Sequence, residues 1–161
     1  MDVLRFKNDT PMRRKLWTSE AFSHPAKGHC GMWQEMILRY SKEGDWLLDP
    51  MAGVGTTLLG ALMGRNCCLI ELESHFVEPM RRSWAKMQTM PMLGFEMGSV
   101  VILRGDARCL PLLSADTIIT SPPYEGSLVL EQNGIDASQL KQPYGPNSQF
   151  ARPQSYTRPP R

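Results

Sequence analysis

No apolar run in these 161 residues approaches the roughly 20 that a membrane span requires. The opening Met1-Asp2-Val3-Leu4-Arg5-Phe6-Lys7 holds no apolar signal-peptide core. Both absences argue against a helical membrane protein and set a cytoplasmic location as the expectation. Cysteine is sparse. Of four thiols, Cys67 and Cys68 are neighbours in a strand-like run, so they face opposite sides, and Cys30 and Cys109 stand alone. They make no disulfide framework, and buried free thiols are expected. No Cys-x-x-Cys or His-x-x-x-His spacing occurs, so His24, His29 and Cys30 are not expected to hold a metal.

What is present is ordinary in bulk. Hydrophobic residues make up 42% and charged residues 21%, as in a globular domain of this length. The net charge of +2 is too small to require a nucleic-acid partner. Its distribution is uneven. Arg5, Lys7, Arg13, Arg14 and Lys15 crowd the start, and after Asp136 there is no acid, only Lys141, Arg152, Arg158 and Arg161. Such ends can track phosphates or simply be solvated, and both readings stay open.

The periodicity predicts alternating elements. Residues 1–20 are polar and basic without a clear period. Met32, Trp33, Met36, Ile37 and Tyr40 predict a helix over 31–40. Trp46-Leu47-Leu48 reads as a buried strand ending at Asp49-Pro50. Thr56 to Met63 reads as a helix closed by Gly64. Cys67 to Ile70 is a second strand ending in Glu71. A helix from about Ser74 toward Met87 contains Pro79, which predicts a kink or a later start. Val100 to Leu103 is a third strand, ending at Gly105-Asp106, and Ala115 to Thr120 a fourth. Strand and helix alternate, so the fold class is α/β with a parallel sheet and right-handed crossovers.

Two stretches carry chemistry. In the first, Leu47-Leu48-Asp49-Pro50-Met51-Ala52-Gly53-Val54-Gly55-Thr56-Thr57, a strand runs through a glycine loop into a helix. Such a loop lets backbone approach a ligand closely. A lone Gly-x-Gly is also compatible with a plain turn. Glu71 at the next strand end, at roughly the 20-residue spacing of a ribose-binding acid, favours a ligand. With Asp106 there are three acids at three strand ends. They suit a nucleoside and would repel a pyrophosphate, and no Gly-Lys-Ser/Thr of a phosphate loop is present.

The second stretch is Ser121-Pro122-Pro123-Tyr124. Adjacent prolines end the strand before them and leave a stiff turn at its carboxyl end. That turn offers a hydroxyl, a carbonyl and a flat ring, a set suited to a planar, amine-bearing substrate.

Together these residues resemble the DNA amino-methyltransferase family. Asp49-Pro50-Met51-Ala52-Gly53-Val54-Gly55-Thr56-Thr57 is similar to its S-adenosylmethionine motif, usually Asp-Pro-Phe-x-Gly-x-Gly-Thr-Thr, with Met51 in place of Phe. Ile70-Glu71-Leu72-Glu73 resembles the second motif, whose first acid holds the ribose. Gly105-Asp106-Ala107 resembles the segment beside the adenine. Ser23-His24-Pro25-Ala26-Lys27 resembles the segment over the methionine moiety, and Ser121-Pro122-Pro123-Tyr124 the catalytic tetrad. The resemblance spans about residues 20 to 127, with cofactor motifs first and tetrad later, as in one of the family's circularly arranged subtypes.

The resemblance implies a Rossmann-like, mostly parallel methyltransferase sheet and methyl transfer from S-adenosylmethionine to an exocyclic base amine of DNA. His24, Pro25, Ala26, Asp49, Pro50, Met51, Ala52, Gly53, Gly55, Thr56, Thr57, Glu71, Leu72, Asp106, Ala107 and Ser121 are the implied cofactor contacts. Ser121, Pro122, Pro123 and Tyr124 are the implied catalytic residues. Ser121 and the Pro122 carbonyl would accept the amine N–H groups, and Tyr124 would stack on a base flipped from the duplex. A serine heading the tetrad favours N4 of cytosine, with N6 of adenine the alternative. The chain has no Pro-Cys dipeptide, which argues against carbon methylation.

The departures are also informative. The family's domain has about seven strands, and four are legible here. Residues 1–20 read as a basic segment, 21–127 as a partial methyltransferase domain and 128–161 as a loop or disordered tail. The sheet therefore reads as truncated after its fourth strand, by fragmentation or with a second chain or a dimer completing it. Methylation of an RNA base amine and a non-catalytic, cofactor-binding role are the competing readings.

Overall fold

The computed structural model describes residues 3–23, 27–110 and 114–122. His24, Pro25, Ala26, Pro123, Tyr124 and the expected tail over 128–161 lie outside the described residues.

Among the described residues, four strands form one parallel sheet in the order β3-β2-β1-β4. They are β1 (Trp46–Asp49), β2 (Asn66–Glu71), β3 (Val100–Arg104) and β4 (Thr117–Ile118). β1 and β2 occupy the middle, with Leu47 opposite Cys67 and Asp49 opposite Leu69. Central parallel strands are covered on both faces, which is why these two read as unbroken apolar runs.

The cysteine pair shows the two faces. Cys67 meets α3 (Leu58–Leu62), its thiol 3.4 Å from the Thr57 carbonyl. Cys68 points the other way, into a cluster with Leu48 and Ile70 that Trp46, Leu103 and Ala115 flank. α3 rides close to the sheet because residue 60 is glycine: a Cβ there would lie 2.6 Å from Leu47 Cδ1. α4 (Ser74–Met87) joins β2 to β3 and buries Phe76, Val77, Met80 and Met87. It begins at Ser74 and runs on through Pro79, so the proline does not delay its start.

Four expectations need correction. Residues 10–16 are not irregular: Thr10–Leu16 forms α1, with Pro11 in its first turn, and a 3-10 turn follows at Ser19–Ser23. The helix expected from Thr56 becomes regular only at Leu58, because Thr56 and Thr57 lie in tight turns in which Leu58, Leu59 and Gly60 donate to the carbonyls three residues back. The fourth strand shrinks to two residues, Thr117 and Ile118, which pair with Leu47 and Leu48 of β1. Cys109 is exposed, whereas Cys30, Cys67 and Cys68 are buried.

α2 (Cys30–Tyr40) matches its expected span and buries Cys30, Trp33 and Ile37. His29 caps it, accepting the Gly31 N–H at 3.1 Å. Among the described residues no helix is long and apolar enough to cross a membrane.

Candidate functional site

The strand order creates a crevice. From β1 the chain moves to β2 and β3 on one side, then returns to β4 on the other. The carboxyl ends of β1 and β4 therefore flank the point where connectivity reverses, the usual ligand position in open α/β sheets. Asp49 ends β1, Glu71 ends β2 and Asp106 follows β3, so the three acids do stand at adjacent strand ends. Ser121 follows β4, directly beside β1.

The glycine loop is held from several directions. Gly53 and Gly55 have φ of +56° and +78°, conformations that other residues rarely adopt. Ala52 donates its N–H to the Ile70 carbonyl at 2.9 Å, and Gly53 to Glu71 Oε2 at 2.7 Å. A Cβ on Gly55 would lie 2.8 Å from Met80 Cγ, so α4 packs against the loop. From outside, the Trp17 indole donates to the Val54 carbonyl at 3.0 Å. Ala52, Val54, Thr56 and Thr57 are all buried, while Pro50 and Met51 are half-buried.

Asp49 is 2% exposed. Its Oδ2 accepts the Thr57 hydroxyl at 2.5 Å and its Oδ1 the Met51 N–H at 3.2 Å. Burial pushes its pKa up to about 6. The Thr57 and Thr120 hydroxyls and the Met51 N–H oppose that rise, and the nearby Glu71 charge adds to it.

Glu71 is also buried, and its second oxygen accepts the Glu73 N–H at 2.9 Å. Each carboxylate oxygen has two acceptor positions, so Glu71 can still receive hydroxyl donors. Asp106 is engaged differently. Its carboxylate is gripped by the Arg108 guanidinium, with a closest approach of 2.6 Å, and by the Arg108 N–H at 2.9 Å. Arg108 holds the Asp106 carboxyl down, at about 2. The arginine is 81% exposed, so this pair is readily exchanged for another partner. Leu72 and Ala107, flanking these acids, are half-buried, and Ser121 and Pro122 are exposed.

The residues that brace this site were not singled out in the sequence. Trp33 donates its indole N–H to the Thr57 hydroxyl at 2.9 Å, and Trp17 holds Val54. Both tryptophans lie in N-terminal elements, and a helical or polar local pattern hides their polar contacts. The donor set itself is acidic and acceptor-rich. It suits a cationic nucleoside such as S-adenosylmethionine, whose sulfonium and ammonium groups it would attract.

Residues 6–82 match the family described as DNA methylase, of the N6/N4 amino type. The Type II methyltransferase M2.MboI of Moraxella bovis is 35% identical over 92 residues, 52% of this chain and 34% of the relative. M2.DpnII of Streptococcus pneumoniae is 29% identical over 90 residues, 50% of this chain and 34% of the relative. The chain thus spans about a third of the length of the curated relatives it matches. Among solved structures, the M. jannaschii tRNA m1G37 methyltransferase aligns over 63% of this chain and 29% of its own, with 14% identity and a TM-score of 0.47. Residues 6–82, which run from α1 through the glycine loop into α4, are thus similar to the S-adenosylmethionine-dependent DNA amino-methyltransferase family.

Proposed function

We propose that this chain supplies the cofactor half and the head of the catalytic tetrad of a DNA methyltransferase acting on an exocyclic base amine, N4 of cytosine being favoured. One observation carries the reading. β4 pairs with β1 in the register Leu48 to Ile118, so the Asp49 loop and Ser121 leave the sheet side by side at its reversal point. A cofactor on the loop and a base at Ser121 would then meet.

Within this reading Asp49 accepts hydrogen bonds from the cofactor's ammonium side and Glu71 from its ribose. Pro50 to Thr57 pack against it, with Leu72, Asp106 and Ala107 on the adenine side. His24, Pro25 and Ala26 are assigned over its methionine moiety by family resemblance. When bound, S-adenosylmethionine supplies an electrophilic methyl on a sulfonium. A base amine is a poor nucleophile because its lone pair is delocalised into the ring. Ser121 and the Pro122 carbonyl each accept one amine N–H, which localises that lone pair. Pro123 and Tyr124 are assigned by family resemblance alone, Tyr124 to stack on the flipped base. Transfer of that methyl would form the N–C bond as its bond to sulfur breaks, and the amine would release one proton to solvent.

The test is incubation with radiolabelled S-adenosylmethionine and unmethylated DNA, followed by nucleoside analysis. N4-methylcytosine is expected. N6-methyladenine would move the target to adenine. Cofactor binding without transfer would reduce the chain to a binding portion. Ser121→Ala is expected to slow transfer by about 10- to 100-fold with cofactor affinity kept, the scale of losing one positioned hydrogen bond at the reacting group.

A further inference from the structure

We propose that Trp33 is a positioning residue, which acts through Thr57 to fix the Asp49 carboxylate as a hydrogen-bond acceptor at the end of β1. The inference rests on the reading of Asp49 as part of the cofactor site.

The three groups form a buried relay. Trp33 Nε1 lies 2.9 Å from Thr57 Oγ1, which lies 2.5 Å from Asp49 Oδ2. Trp33, Thr57 and Asp49 are 3%, 0% and 2% exposed, so water does not compete. The direction of the first step is forced. An indole N–H can only donate, so the Thr57 oxygen must accept. The single Thr57 proton is then free for one place, Asp49 Oδ2. A separation of 2.5 Å is that of a hydroxyl on a charged oxygen. While Thr57 donates to Oδ2, a proton on Asp49 falls on Oδ1, where the Met51 N–H already donates. Protonation is opposed at both oxygens.

The opposing pressure is burial, which favours the neutral acid. Glu71 from β2 adds to it by charge repulsion, and the Cys67 thiol of the same strand is close enough to feel Asp49. Beyond the end of β4 the Thr120 hydroxyl favours the charged form. α3 and the loop contribute Thr57 and the Met51 N–H.

Trp33 is itself held in place. A Cβ on Gly28 would collide with the six-membered part of its ring, so only glycine lets the backbone lie there. The Gly28 carbonyl is in turn held by the Arg13 guanidinium. Arg13 also pairs with Asp9 at 3.0 Å, and Asp9 accepts the Cys30 N–H at 2.9 Å. A continuous set of contacts therefore runs from α1 through Gly28 and Trp33 to the end of β1.

The test compares Trp33→Phe, Thr57→Val and Thr57→Ser in the full chain. Asp49 is titrated by carboxyl carbon NMR without ligand, and S-adenosylmethionine binding is measured by calorimetry across pH. Trp33→Phe frees the Thr57 hydroxyl to turn away, and Thr57→Val removes it. Both are expected to move the Asp49 midpoint upward by about half to one unit, and to weaken cofactor binding near neutral pH by about three- to tenfold, since one unit corresponds to tenfold. Thr57→Ser keeps the relay and holds the midpoint near the parent value. An unmoved midpoint in folded Trp33→Phe overturns the proposal, whatever the binding does. If Trp33→Phe does not fold, equal midpoints in Thr57→Val and Thr57→Ser overturn it equally. A moved midpoint with no cofactor binding by the parent chain leaves the relay standing and overturns the reading of the site.

Discussion

Gly53 donates its backbone N–H to Glu71 Oε2 at 2.7 Å, so the glycine loop and the end of β2 hold each other directly. The glycine loop after β1 takes its shape partly from a carboxylate on β2. Glu71 thus supports the loop, and in the proposed function the same side chain would also accept ligand hydroxyl groups.

Replacing Glu71 by alanine should cost both. The N–H groups of Gly53 and Glu73 lose their acceptor, and each buried orphan costs about 1–3 kcal/mol. Urea denaturation of Glu71→Ala is expected to show a loss of about 2–5 kcal/mol, with cofactor binding abolished in the same sample. Unchanged stability would mean that water satisfies the loop and that the bond to Glu71 is incidental.

Asp49 sets a pH dependence of definite sign. Its pKa rises on folding from 3.8 to about 6, mainly through burial. The folded state thus binds the extra proton between those values, and stability falls as pH rises through them. The contribution is full below about pH 4 and gone above about pH 6. Asp49→Asn removes the buried charge and keeps an acceptor for Thr57. It is expected to be more stable than the parent chain at pH 7 by about 1–3 kcal/mol, to lack this slope between pH 4 and 6, and to bind cofactor poorly. Parallel slopes for the two proteins in urea titrations at several pH values would refute the assignment.

Arg65 secures the opposite end of the sheet. It is 4% exposed, and its guanidinium reaches the Ser41 hydroxyl at 3.0 Å, the Ser41 carbonyl at 2.8 Å and the Met63 carbonyl at 2.6 Å. Those carbonyls close α2 and α3, whose last turns leave acceptors free. A lysine cannot span this fork. Arg65→Lys should destabilise the fold by about 2–4 kcal/mol with little change in cofactor affinity, measured by thermal unfolding and calorimetry. A loss below 1 kcal/mol would show that the two helix ends are held by other means.

The thiols should divide cleanly. Burial pushes the Cys30 and Cys67 thiols up to about 12 and raises Cys68 as well. Cys109 is exposed. At pH 8 a thiol reagent should modify Cys109 rapidly, and the other three only after unfolding. Peptide mapping by mass spectrometry reads this directly, and fast labelling of Cys67 in the native protein would contradict the packing of α3 on the sheet.

Where local pattern and tertiary setting agree, the sequence was a sufficient guide. β1, β2 and β3 are apolar runs bounded by turn residues, and their ends fall where Asp49, Glu71 and Gly105 indicate. α1 is the contrary case. Its sequence, TPMRRKL, has no apolar stripe, and its anchors are distant: Arg13 on Gly28, Trp17 on Val54, and Thr18 on Ser83 of α4. Its local start signals are Asp9 at the N-cap and Pro11 in the first turn. The site shows the same division. Asp49 and Glu71 stand out by position after strands, but Trp33 looks like any core residue on a helix face until its N–H is traced to Thr57.

The place of β4 in the sheet also sets an order of assembly. β1, β2 and β3 pair with neighbours close in the chain, whereas Trp46 and Asp116, which join β1 to β4, are 70 residues apart. Closing that long connection is entropically expensive, and it rewards the chain with a ladder of two paired residues. The cofactor strands should therefore close first, and the strand leading to Ser121 should dock last and open most often. Hydrogen exchange will report it as faster exchange at the Ile119 amide, bound to Leu48, than at Leu69 or Ile70 within β2. In kinetic language, the β1–β3 platform outlives the β4 edge each time the sheet breathes.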